Sequence, residues 1–208
     1  MSKVVVLNCP GYDPSEVYEK VQKGLSLLGG AEKFFDPDKK ILLKPNLLRG
    51  AKPERAITAH PAVCEAVIRT ASECGCRDVS IGDSCGVGFS VAVMKEMGLG
   101  ESCRKYGVTM AGFKEDVYVE NKQGVHAKGF HLAKEVVDAD EIISICKMKT
   151  HALEYITGAV KNQYGCIQGM HKAQGHTIYT SQVSFAKMLV ELNLLIKPRL
   201  FIMDGITA

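Results

Sequence analysis

The sequence predicts an α/β fold: a mainly parallel, Rossmann-like sheet flanked by helices, with a small β-hairpin insertion. Two observations carry this. Short apolar runs bounded by Gly, Pro and charge alternate with longer segments of helical periodicity. Between residues 107 and 130 that alternation breaks into short β-prone pieces separated by Gly and charged residues, which reads as the β insertion.

The elements follow in order. Residues 3–8 read as a first strand. Residues 14–28 form a helix, because Val17, Val21, Leu25 and Leu28 recur at helical spacing and Gly29-Gly30 ends it. Residues 40–43 are a short buried strand. Pro61 suits the first position of a second helix, lined by Val63, Val67 and Ala71. Residues 79–81 are a strand, and a Gly-rich turn leads from it into a helix ending near Met97. Residues 108–110, 117–119 and 127–130 are the β-prone pieces of the insertion. Residues 141–146 are a strong buried strand, followed by a Gly- and His-rich loop. A helix over 182–195 and a strand over 200–203 complete the pattern. The whole is expected to be one α/β domain over residues 1–208. Because it stops just after a strand, where such folds place ligand loops, it is expected to be C-terminally truncated.

Bulk properties exclude several functions. Of the 208 residues, 46% are hydrophobic and 24% charged, a globular balance that supports a core without disulfides. A net charge of +3 argues against nucleic acid as the partner, so any anion preference must come from local placement of Lys and Arg. No stretch is long and apolar enough for a membrane span, and the apolar run after Lys3 is too short for a secretory signal. A cytoplasmic protein with reduced thiols is therefore expected. Among the eight Cys, Cys74 and Cys76 are the close pair, and no C-x-x-C occurs. That spacing does not support a 4Fe-4S cluster held by this chain. Cys85 and Cys166, in Gly-rich segments, are the places for a reactive thiol.

In open α/β sheets ligands bind beyond the carboxyl ends of the strands. Here those ends carry Lys44-Pro45-Asn46, Gly82-Asp83-Ser84, Lys147-Met148-Lys149-Thr150-His151 and Asp204-Gly205. If the strand runs on, Lys147 and Lys149 point to the same side. Two ammonium groups on one face repel unless an anion lies between them, which suits a carboxylate or phosphate. Thr157 is a fair N-cap for a helix carrying Lys161 and Asn162, and free amides at a helix start attract anions. Lys44, Asn46, Lys147, Lys161, Asn162, Ser84 and Asp204 are the expected ligand-binding residues. His151, Lys149 and Asp83 are the expected catalytic ones, with His151 as acid–base because an imidazole titrates near neutrality. The segment from Gly82 to Gly88 completes neither the Walker nor the dinucleotide pattern. Gly82-Asp83-Ser84-Cys85-Gly86 matches G-x-S-x-G, although Gly86-Val87-Gly88 delays the helix that a nucleophile elbow requires. His151, His171 and His176 share one region, but their spacing is that of a loop, so no metal site is expected.

Leu42-Leu43-Lys44-Pro45-Asn46-Leu47, Thr58-Ala59-His60-Pro61, Gly82-Asp83-Ser84, Lys147-Met148-Lys149-Thr150-His151 and Thr157-Gly158-Ala159-Val160-Lys161-Asn162, in this order, resemble the bacterial and archaeal family called domain of unknown function 362. The resemblance spans nearly the whole chain. It implies a setting in redox chemistry, because many members carry a ferredoxin-like segment with 4Fe-4S motifs after this domain. These residues lack that segment, which puts a cluster-binding label for them in doubt. It implies no agreed reaction and leaves open whether the protein is an enzyme. Three functions fit: an anion-binding domain serving redox or acid-metabolite chemistry, a serine hydrolase using Ser84 with His151 as base, or a non-enzymatic partner of a ferredoxin-type electron-transfer protein.

Overall fold

A computed structural model describes residues 3–152 and 154–208. Helix α1 (Pro14–Leu28) starts where the Asp13 carboxylate accepts hydrogen bonds from the Ser15 and Glu16 amides. It stops at Gly29, whose φ of 111° is left-handed backbone that glycine adopts without strain. Strand β1 (Ile41–Pro45) leads through a loop to α2 (Pro61–Glu73), capped by His60, whose ring nitrogen accepts from the Ala62 amide. Then follow β2 (Val79–Ile81), α3 (Ser90–Glu96), α4 (Leu99–Tyr106) and β3 (Thr109–Met110). Strands β4 (Asp116–Glu120) and β5 (Gly129–Ala133) form an antiparallel hairpin, followed by the short α5 (Lys134–Val137). Strand β6 (Glu141–Lys147) runs into a second hairpin of β7 (Lys149–His151) and β8 (Tyr155–Thr157). Helices α6 (Ala159–Asn162), α7 (Gly169–Ile178) and α8 (Gln182–Ile196) precede β9 (Leu200–Asp204).

The main sheet has five parallel strands in the order β3-β2-β1-β6-β9. The chain winds outward from β1 through β2 to β3, then returns and winds the other way through β6 to β9. The direction reverses between β1 and β6, and that switch point is where such sheets open a crevice.

Strand alternation divides the core in two. Ile41 and Leu43 of β1, with Ile143 and Ile145 of β6, face α1, α2, α3 and α4. Leu42 and Ile142 face the other way, toward the β4–β5 hairpin, α5 and α8, where Phe130, Leu132, Phe185 and Leu192 pack.

The parallel α/β prediction holds, and three local expectations change. Residues 3–8 form no strand: Val4 and Val6 are 83% and 90% exposed, and both sides of β1 are already taken by β2 and β6. Residues 109–110 leave the insertion and extend the parallel sheet beside β2, because α3 and α4 serve as the crossover. The Gly- and His-rich segment is not a loop: His171 and His176 lie in α7. Its entry is pinned by the bridge between Leu132 and Ile167 and by the Gln168 amide donating to the His131 carbonyl at 3.1 Å, so tertiary contacts override weak local propensity.

Candidate functional site

Register explains how the strand-end residues sort. Lys44 pairs with Ser144, so both side chains leave the same face of the sheet. Lys147 lies three residues beyond Ser144 and therefore leaves the opposite face, where it pairs in register with Asp204. The single rim expected from the sequence is thus two clusters, one on each side of the sheet.

The first cluster is closed. Lys147 is 0% and Asp204 1% exposed. Lys147 Nζ lies 3.0 Å from Asp204 Oδ2, donates to the Thr207 carbonyl at 2.6 Å and sits 3.0 Å from the Tyr12 hydroxyl. The Tyr12 hydroxyl donates to Asp204 Oδ1 at 2.8 Å, and the His60 amide donates to Asp204 Oδ2 at 2.9 Å. The Tyr12 and His60 rings stack at 3.7 Å. One cation meets one carboxylate, and the polar atoms around them have partners.

The second cluster lies at the switch point, and its cations outnumber its carboxylates. Lys44, 0% exposed, forms an ion pair with Asp83 at 2.7 Å and donates to the Pro45 carbonyl at 3.0 Å and to Asn162 Oδ1 at 3.2 Å. Asp83 also accepts from the Leu47 amide at 2.8 Å, which ties the end of β2 to the end of β1. Asn162 is a junction: its Nδ2 donates to the Lys44 carbonyl at 3.2 Å and to Ser144 Oγ at 2.9 Å, and its Oδ1 accepts from Asn46 Nδ2 at 3.2 Å. Gly165 abuts this pair closely. A Cβ there would collide with Asp83 Oδ1 and lie 2.7 Å from Lys44 Nζ, so only hydrogen fits.

Three more lysines join. Strand β6 ends at Lys147, and Lys149 pairs with Thr157 in the β7–β8 hairpin, so it does not continue the face of Lys147. Its ammonium donates to Asn46 Oδ1 at 2.7 Å and to the Ile57 carbonyl. Lys172, on α7, donates to the Ser84 carbonyl. Lys161, on α6, has neither an ion pair nor a hydrogen bond among the described residues. Its ammonium lies 5.9 Å from the Tyr164 and Phe185 rings. Opposite Lys149 in the hairpin, on the same face, stands Thr157. Its hydroxyl is buried and has no hydrogen-bond partner among the described residues. Thr157 ends β8 and does not cap a helix, because Gly158 takes the cap position of α6.

Burial and mutual repulsion hold these groups away from their ordinary protonation. Burial first, then Lys161, pushes Lys149 down to about 8. Burial first, then Lys172, pushes Lys161 down to about 8, against the opposing pull of Glu154. Lys172 is lowered by burial and by Lys44, with Asp83 opposing. Burial, Lys161, His176 and Lys149 push His151 down to about 4. At neutral pH His151 is therefore a neutral acceptor, not the acid–base group balanced near neutrality that the sequence suggests. The thiols are poorly reactive: burial pushes Cys85 and Cys166 each up to about 12. Ser84 is buried, its amide donates to the Gly165 carbonyl at 3.0 Å, and the next helix begins only at Ser90, so the elbow geometry is not built.

Of the residues singled out from sequence, the switch-point cluster gathers Lys44, Asn46, Asp83, Ser84, Lys149, His151, Lys161 and Asn162. It leaves Lys147 and Asp204 on the other face. Sequence reasoning missed Lys172 and the partnerless Thr157 hydroxyl. Lys172 sits in a stretch whose Gly and His disguise a helix, and no short motif marks it.

The architecture defines a doubly wound α/β protein with a lysine-rich cluster at its switch point. The chain belongs to the family described as Domain of unknown function (DUF362), which matches residues 41–208. It is 32% identical over 209 aligned positions to the thylakoid-associated protein sll1697 of Synechocystis, an alignment that covers all of this chain. The chain spans 64% of that relative's length. Among the described residues no helix is long and apolar enough to cross a membrane.

Proposed function

We propose that the crevice between the ends of β1 and β6 binds a small anion, a carboxylate or a phosphate, through Lys44, Lys149, Lys161 and Lys172. The observation that carries this is the Lys161 ammonium, which has no ion pair or hydrogen bond among the described residues and is held among three other lysines, with Asp83 and Glu154 as the carboxylates that temper them. A buried excess of cations is unfavourable unless an anion neutralises it. Thr157 supplies a hydroxyl with no hydrogen-bond partner among the described residues, and Asn46 and Asn162 orient the lysines. His151, held neutral by burial and by the lysines, accepts the Glu154 amide at Nδ1 and lines the site as an uncharged group. The family resemblance adds the setting: redox or acid-metabolite chemistry in the company of a ferredoxin-type partner.

The test is a thermal-shift and calorimetric panel of inorganic phosphate, pyrophosphate and citrate, with Lys161→Met as the variant. A ligand that binds only the folded state raises its melting temperature. At least one of these anions is expected to stabilise the protein, and Lys161→Met to weaken its binding about ten-fold, or about 1.4 kcal/mol. No stabilisation by any of them, or undiminished binding to the variant, would refute the proposal.

A further inference from the structure

Outside the lysine crevice, the structure brings two histidines and an aspartate onto one surface between the β4–β5 hairpin and α7. Asp116 pairs with Ala133 and Tyr118 with His131, so Asp116 and His131 are diagonal neighbours on the same face of the hairpin. Phe130 and Leu132 point inward to the core, which leaves that face outward. Helix α7 lays His171 over it, and the His131 and His171 rings stack at 3.8 Å with planes 6° apart. His131 Nδ1 lies 2.6 Å and His171 Nε2 3.7 Å from the same Asp116 oxygen. All three ligand atoms lie within 4.8 Å of one another.

We propose that Asp116, His131 and His171 form a site for a divalent transition ion of the zinc type, which clips α7 to the β4–β5 hairpin. Two imidazoles and one carboxylate are a donor set that such ions favour, and three protein ligands leave a fourth position open. In a tetrahedral site with bonds of about 2.0–2.1 Å, neighbouring ligand atoms stand about 3.3 Å apart. The separations from the Asp116 oxygen bracket that value. An ion must lie in the plane of each ring it binds, so the stack has to open by rotation about the side-chain torsions. All three side chains are 26–40% exposed, so solvent lies on the side toward which they would turn.

A contact along α7 orients the His171 ring. His171 Nδ1 lies 3.2 Å from Gln174 Oε1, one helical turn along α7. With its proton on Nδ1 the ring satisfies that contact and turns its Nε2 lone pair toward Asp116, the tautomer that binds an ion. Gln174 Oε1 would then fill the orienting role that a carboxylate, a backbone carbonyl or water plays behind most ligating histidines. The adjacent residue on α7, Lys172, belongs to the anion crevice, but the metal site stands on its own residues and its test needs no anion.

The test uses the 208-residue protein with reduced cysteines. Zinc(II) is titrated against a competing chelator, and cobalt(II) serves as the spectroscopic probe. One ion per chain is expected, with visible bands of a tetrahedral nitrogen- and oxygen-ligated cobalt and no thiolate charge transfer. His131→Ala and His171→Ala should each weaken binding about ten-fold or more with the fold intact by circular dichroism. In the unaltered protein, zinc should shift the ring resonances of His131 and His171, a readout that does not depend on any variant folding. Absence of saturable binding below about 100 μM would overturn the proposal. So would a thiolate-type cobalt spectrum, binding undiminished in both variants, or histidine resonances that zinc leaves unmoved.

Discussion

Two lysines that each occupy the end of a central strand meet opposite fates. Lys147, at the end of β6, finds Asp204, the Tyr12 hydroxyl and the Thr207 carbonyl, and its charge is fully answered within the protein. Lys44, near the end of β1, finds Asp83, but Lys149, Lys161 and Lys172 crowd the same space. Both are wholly buried and both have an aspartate within 3.0 Å. What separates them is the count of charge around each. The matched pair holds the residues around Tyr12 and α2 to the sheet. The unmatched set is the one we propose an anion completes. A buried lysine at a strand end therefore signals a ligand only when its neighbours leave positive charge unanswered.

The largest effect that tests this contrast falls on the matched side. Lys147→Ala leaves Asp204 buried without its cation and should cost about 3–5 kcal/mol in urea unfolding, because breaking a buried pair strands a charge. A loss under about 1 kcal/mol would mean that the pair is solvated or rearranges. On the unmatched side, Gly165→Ala drives a methyl group into the Lys44–Asp83 pair and should cost about 1–3 kcal/mol of stability from overpacking. It should also weaken anion binding, whereas Lys147→Ala, if it folds, should not.

A smaller effect separates the clusters by pH. Lys149 and Lys161 are charged below about 8 and lose their protons as the pH rises through that value. Affinity for sulfate, whose own charge is fixed over this range, should be greatest below pH 8. Above it, affinity should fall by up to about ten-fold per pH unit for each lysine that must be charged. The effect on folding has the opposite sign. With folded-state values below the ordinary lysine range, the unfolded chain holds more protons between pH 8 and the normal lysine value of about 10.4, so these two lysines make the protein more stable as pH rises across that window. Stability that falls there through these groups would contradict the placement of both lysines.

Much of this was legible in the sequence, for physical reasons that differ by element. Helix α1 follows from Asp13, Pro14 and Gly29, each of which acts locally on the backbone. Strand β6 and helix α8 follow from apolar runs too long to leave in water. Residues 3–8 misled because an apolar run does not by itself supply a neighbouring strand edge. Lys44, Lys149 and Lys161 were legible as polar groups at strand and helix ends. Their separation from Lys147 was not, because it depends on the register of β1 against β6, a non-local fact. Lys172 and the Asp116–His131–His171 group needed α7, whose helix is fixed by contacts of residues 167 and 168 with β5 and not by its own glycines and histidines.

The central claim, that the switch-point lysines are unanswered by the protein, is tested most directly by NMR titration of lysine Cε resonances with and without pyrophosphate. Lys149 and Lys161 should titrate near 8 in the free protein and move upward when the anion binds. Titration of both at ordinary lysine values in the free protein, or values that saturating pyrophosphate leaves unchanged, would contradict the account.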